Sequence, residues 1–184
     1  MFIKSYFSFG IIFVLVALAG HGHAASICPA DTTPLTVKGK IFTQAVSFGT
    51  SLGTAHLKLS NGKSPKCGIM GSGGVGSDGI VKFVHQLICD DTISVDSPYT
   101  GGSETVHSQL TLNSSGTGAF HVCNRVDQTL PPAFYGTFDE ISTPTSGGGM
   151  FQGVKDGRIA TRGTINCLSA IDMEFEGEVC LPKK

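Results

Sequence analysis

The chain has no tryptophan, charged residues make up only 15% of it, and no stretch of charged helix formers interrupts it. Those absences argue against a helical bundle or a coiled coil. No Cys-x-x-Cys spacing occurs, which removes the usual signature of a zinc site or a dithiol redox centre. The His-Glu-x-x-His, Gly-x-Ser-x-Gly and Gly-x-x-x-x-Gly-Lys-Ser/Thr patterns are also missing, and with them the metalloprotease, nucleophile-elbow and phosphate-loop chemistries that depend on those spacings. The formal net charge is −1 and no basic run is present, so nucleic acid is not an expected partner. Beyond the N-terminus no apolar segment reaches the roughly 20 residues needed to cross a bilayer as a helix.

What is abundant is glycine, 25 residues, together with eight prolines. These break the chain into short runs of alternating polar and apolar residues, the period of a strand with one face buried. The runs are Thr36–Val46, Thr54–Leu59, Lys66–Met70, Ile80–Val95, Thr105–Leu112, Gly118–Val126, Tyr135–Ile141, Arg158–Cys167 and Ile171–Leu181. Glycine-rich loops are expected at Ser72–Gly79 and Ser142–Gly149, and a turn at Asn113–Thr117. The reading is an all-β, antiparallel domain.

Residues 1–24 read as an export signal. Lys4 supplies the positive start, Ile11–Ala19 the apolar segment, and Gly22 and Ala24 the small residues before a cut after Ala24. A cut after Gly20 would instead leave His21-Gly22-His23 as a copper-binding terminus. Cys28 is an unsuitable lipidation site, because bulky Ile27 precedes it. Removal of the signal leaves residues 25–184 as a single secreted or periplasmic domain of about 160 residues, enough for one real core.

All six cysteines, Cys28, Cys67, Cys89, Cys123, Cys167 and Cys180, follow that signal, and an even number in an exported chain indicates disulfide staples. The C-terminal strands constrain the pairing. In Asp172–Val179, the carboxylates of Asp172, Glu174, Glu176 and Glu178 share one face and Met173, Phe175 and Val179 the other. A turn at Leu168–Ala170 places Arg162 opposite Glu176 and Thr164 opposite Glu174. It also puts Cys167 and Cys180 on opposite faces, which disfavours a bridge between them. If the sheet closes, the acidic strand lies between two basic ones, with Lys38 and Lys40 on the first strand, and Cys28 becomes the natural partner of Cys180. The remaining four cysteines allow three pairings.

Histidine offers the remaining chemistry. A hairpin turning at Asn113–Thr117 would bring His107, Gln109 and His121 onto one face, a group able to hold a metal or move a proton, or simply a polar outer face. The adjacent acids Asp90-Asp91 and Asp139-Glu140 point to opposite sides of a strand and read as solubilising groups at strand ends. Asn113-Ser114-Ser115 is a glycosylation sequon. No residue is assigned to catalysis, to a metal or to a cofactor, and no cofactor is implied.

The run Gly147–Ile165, Gly147-Gly148-Gly149-Met150-Phe151-Gln152-Gly153-Val154-Lys155-Asp156-Gly157 and the strand that follows it to Ile165, resembles the Gly-Gly-x-Phe-x-Gly-x-x-x-Gly segment and strand of allene oxide cyclase and dirigent-type barrels. The resemblance implies an eight-stranded antiparallel barrel, closed or nearly so, here stapled by disulfides. Phe151 would then plug one end, and Gly157 would let the chain rejoin the sheet. The six cysteines and the long first strand match neither family, so no activity and no catalytic residue carries over.

Three readings of function follow. The first is an exported, non-enzymatic barrel that binds a partner protein outside the cytoplasm, a host or partner-interaction factor. The second is a barrel that carries or cyclises a small apolar ligand in its lumen, and the third a metal-dependent or hydrolytic enzyme built on His107 and His121.

Overall fold

The computed structural model describes residues 26–124, 126–127, 129 and 133–183; the expected export signal lies outside them. Eight antiparallel strands close into a barrel in simple sequence order: β1 (Thr32–Ser47), β2 (Thr50–Leu59), β3 (Lys66–Val75), β4 (Ile80–Asp96), β5 (Ser103–Val122), β6 (Phe134–Gly148), β7 (Asp156–Ile165) and β8 (Ala170–Pro182). A single 3-10 turn, Gly149–Phe151, joins β6 to β7. Closure pairs β8 with β1 and so leaves no free edge. Among the described residues no helix is long and apolar enough to cross a membrane.

The alternation seen in the sequence becomes inside and outside. Val37, Ile41, Leu57, Ile69, Leu87, Leu110, Ile159, Phe175 and Val179 fill the interior, while their sequence neighbours face out. Strands must bend sharply to close so narrow a barrel, and Gly39 shows how: a Cβ there would collide with the His56 carbonyl and the Phe175 ring. Three hairpins share one design, a three-residue turn whose last residue is left-handed. They are Ser60-Asn61-Gly62, Ser77-Asp78-Gly79 and Cys167-Leu168-Ser169, with φ of 85°, 75° and 62° at the last position. Ser169 is the one described non-glycine residue at positive φ.

Several expectations are corrected. Thr105–Leu112 and Gly118–Val126 are not two strands: β5 runs unbroken through Asn113–Thr117, because β4 and β6 hydrogen-bond to it there on both sides. Ser72–Val75 and Ser142–Gly148 belong to β3 and β6 rather than to loops. The last hairpin turns one residue earlier than expected, so Arg162 faces Glu174, Thr164 faces Asp172, and Glu176 faces Ala160. The register moved by two, so the inside and outside faces are unchanged.

The disulfides are Cys28–Cys180, Cys67–Cys89 and Cys123–Cys167. The first follows from the meeting of β1 and β8. Cys67 and Cys89 are directly opposed on the inner faces of β3 and β4. Cys123, just past β5, reaches the β7–β8 turn.

Candidate functional site

The expected histidine cluster does not form. His107, Gln109 and His121 all lie on the outer face of the single strand β5, but His107 pairs with Thr92 and His121 with Tyr135. Fourteen residues separate the two histidines, on the order of 45 Å along a strand. His107 Nδ1 lies 2.9 Å from the Cys89 carbonyl and the His121 ring packs on Tyr135. Among the described residues no group of three or more His, Cys, Asp or Glu is placed to hold a metal ion.

A different polar group occupies the lumen. Glu140, read from sequence as a solubilising residue, points inward from the middle of β6, and its Oε2 lies 3.3 Å from His85 Nε2 on β4. The two side chains are 3% and 11% exposed. Phe83 stacks on the imidazole, and a Cβ at Gly71 would press against it. Nearby, Ser114 and Ser142 share a hydrogen bond, and Thr161, Thr43 and Ser51 also face inward. With Nε2 protonated the imidazole donates to Glu140, which satisfies a carboxylate that would otherwise be costly to bury. Parity could have revealed this pair, since Glu140 alternates in step with the inward residues Phe138 and Ser142.

The cavity beside His85, Ser142 and Thr161 measures about 30 Å³. That is room for one or two waters. Towards the β6–β7 connection the interior is closed by Phe151, which is 0% exposed. Beneath it Ser108 Oγ accepts from the Met150 N–H and donates to Asp91 Oδ2.

The two ends of the barrel differ on the outside. At the near end, where β1 begins and β8 finishes, Lys155 Nζ bonds Asp31 at 2.6 Å and Lys183 Nζ reaches the Ala30 carbonyl. Hydrogen bonding and charge from Lys155 hold the Asp31 carboxyl below its usual range. At the far end, the β1–β2 and β7–β8 turns carry Phe48 and Leu168 at their tips, 105% and 81% exposed, with Val46, Val75, Val122 and Phe134 exposed around them. These tips are tied together. Gly73 N–H donates to the Gly49 carbonyl, Ala45 N–H to Ser169, Gln44 Nε2 to Leu168, and Cys123–Cys167 links the β5–β6 connection to Leu168's turn. Among the described residues of the far-end connections, Asp78 on β3–β4 and Asp127 on β5–β6 are charged.

The wall between the ends bears the charges expected from the C-terminal pattern. Strand β8 lies between β1 and β7, Lys40 Nζ sits 2.9 Å from Glu174, and Arg162 Nε sits 2.9 Å from Asp139 on β6. Both pairs stand in water, where solvent screening leaves an isolated ion pair little net worth. Comparison of the chain with protein-family models, curated proteins and solved structures found no match.

Proposed function

We propose that this protein is an exported, non-enzymatic binding barrel whose working surface is the apolar far end, where it engages a partner protein outside the cytoplasm. The observation that carries the reading is the placement of Phe48 and Leu168 at adjoining hairpin tips, fully in water and held by backbone hydrogen bonds and a disulfide. Large apolar residues gathered at one exposed site mark interaction surfaces, and an anchored tip loses little entropy on binding. Three disulfides are compatible with an oxidising compartment outside the cytoplasm. The lumen reading is weaker, because a cavity of about 30 Å³ beside His85 is too small for a lipid-like molecule.

The test is site-directed photocrosslinking in the secreting host, with the reactive residue at position 48 or at position 99. Tyr99 is 95% exposed at the near end and serves as the control. A discrete adduct from position 48 alone, lost when Leu168→Asp is added, is expected. Equal labelling from both positions, or none from position 48, would overturn the proposal.

A further inference from the structure

The outer wall carries a feature that the far end does not explain. Lys38 on β1 is registered directly opposite Lys58 on β2, Lys40 opposite His56, and His56 opposite Lys66 on β3, all of them exposed. Like charges at opposed strand positions destabilise a sheet, and the side chains there are about 5 Å apart at Cβ. On its other side Lys38 is registered opposite Glu176 of β8, and Lys40 opposite Glu174, with which it forms an ion pair. Lys58 makes no ion pair among the described residues, so the unbalanced positive charge of the group sits at Lys58, against Lys38.

Lys38, Lys40 and Lys58 line a concave groove of about 680 Å³ that crosses the wall over Gly39 and Ala160, where small side chains deepen the surface. Phe42, 47% exposed, forms an apolar patch at its side, Glu174 and Glu176 stand on the neighbouring strand β8, and Arg162 with Asp139 lies beyond them.

From this arrangement we propose an acidic-polysaccharide site on the wall formed by β1, β2 and β8. Sulfate or carboxylate groups of the ligand lie between Lys38 and Lys58 and relieve their repulsion. Its hydroxyls donate to Glu176, an acceptor-only carboxylate, and the apolar face of one sugar ring rests on Phe42. The mixed charge selects the class of ligand. A uniformly anionic strand such as DNA is repelled by the β8 carboxylates and offers them no backbone donor, whereas an acidic saccharide carries both kinds of group. Lysine, a mobile point charge, suits anions of varied spacing. This site is separate from the apolar far end, so either proposal can fail alone.

The experiment is a calorimetric titration of the disulfide-intact protein with a heparin-derived octasaccharide at low salt. Saturable binding that weakens as salt rises is expected. The double variant Lys38→Gln/Lys58→Gln should lower affinity by roughly tenfold or more, since charge-assisted contacts are lost at both residues. It removes both the Lys38–Lys58 repulsion and the attraction of Lys38 to Glu176, two opposing effects at exposed positions, so its melting temperature should stay close to the parent's. The charge-matched control Lys63→Gln/Lys82→Gln, outside the groove, should bind as the parent does. Absence of binding, or equal loss in the control, would overturn the site. So would equal affinity for inorganic sulfate, which means an ion site only, or tighter binding of a single-stranded oligonucleotide of matched charge.

Discussion

The near and far halves of the barrel differ in how much polar side chain the lumen holds and, more sharply, in what their outer rims present. In the near half the lumen is apolar, packed with Val37, Leu57, Leu87, Leu110, Ile159 and Val179 beneath the Phe151 plug, and the rim outside is charged. In the far half the lumen mixes the polar side chains of His85, Ser114, Glu140 and Ser142 with the apolar ones of Val81, Phe120, Phe138 and Met173, and the rim outside bears Phe48 and Leu168. Near-end apolar surface is thus consumed in holding the fold together. At the far end the tips of Phe48 and Leu168 add nothing to the interior, while the interior there combines apolar packing with hydrogen bonds whose partners must match.

That contrast can be broken or sharpened experimentally. Phe151→Ala should cost the most, about 3–5 kcal/mol, because it opens a void in a packed apolar end. Urea unfolding measures it, and a loss under about 1 kcal/mol would mean that the plug is dispensable. His85→Leu should cost about 3 kcal/mol by leaving Glu140 buried without a partner. His85→Leu/Glu140→Leu should recover part of that, and no recovery would show that the pair is not coupled. Ser169→Gly should stabilise the protein by roughly 0.5–1 kcal/mol, since glycine takes the left-handed turn without a Cβ penalty. A lower thermal midpoint would contradict the turn geometry.

A pH titration addresses the near end alone. The folded-state acidity of Asp31 is increased by Lys155, so its tether is present above about pH 4 and is lost as acid protonates the carboxylate. Hydrogen exchange at Thr32, whose N–H bonds the Pro29 carbonyl, should accelerate there more than expected for acid chemistry alone, and Asp31→Asn should erase the dependence. The smallest effect is expected from Phe48→Ser/Leu168→Ser, within about 0.5 kcal/mol of the parent in stability. A large loss would place those residues in the fold's own packing and remove the contrast.

Much of the fold was legible because parity is robust. The inside and outside faces of β8 survive a two-residue error in register, and Cys28–Cys180 follows once β1 and β8 meet. The register itself was not legible, because Ser169 fills a left-handed position that normally announces itself as glycine. Asp78-Gly79 does announce its turn, and Cys67 and Cys89 lie symmetrically about Asp78, so that pairing was recoverable in principle. Asn113–Thr117 misled for a physical reason. Its local turn preference is overridden by hydrogen bonds from both neighbours, with Ser114 turned inward to Ser142 and Gly116 allowing β6 to pass closely. The lumen pair was missed because Glu140 was weighed by its charge rather than by its place in the alternation.

An even number of antiparallel strands returns the chain to the level at which it started. In this barrel Cys28, Asp31, Cys180 and Lys183 accordingly gather at the near end, the full height of the wall away from Phe48 and Leu168. Anything fused or chemically anchored at Lys183 would hold the molecule upright, with its apolar crown pointing outward. An array of such molecules on a chip or bead would be oriented by topology alone.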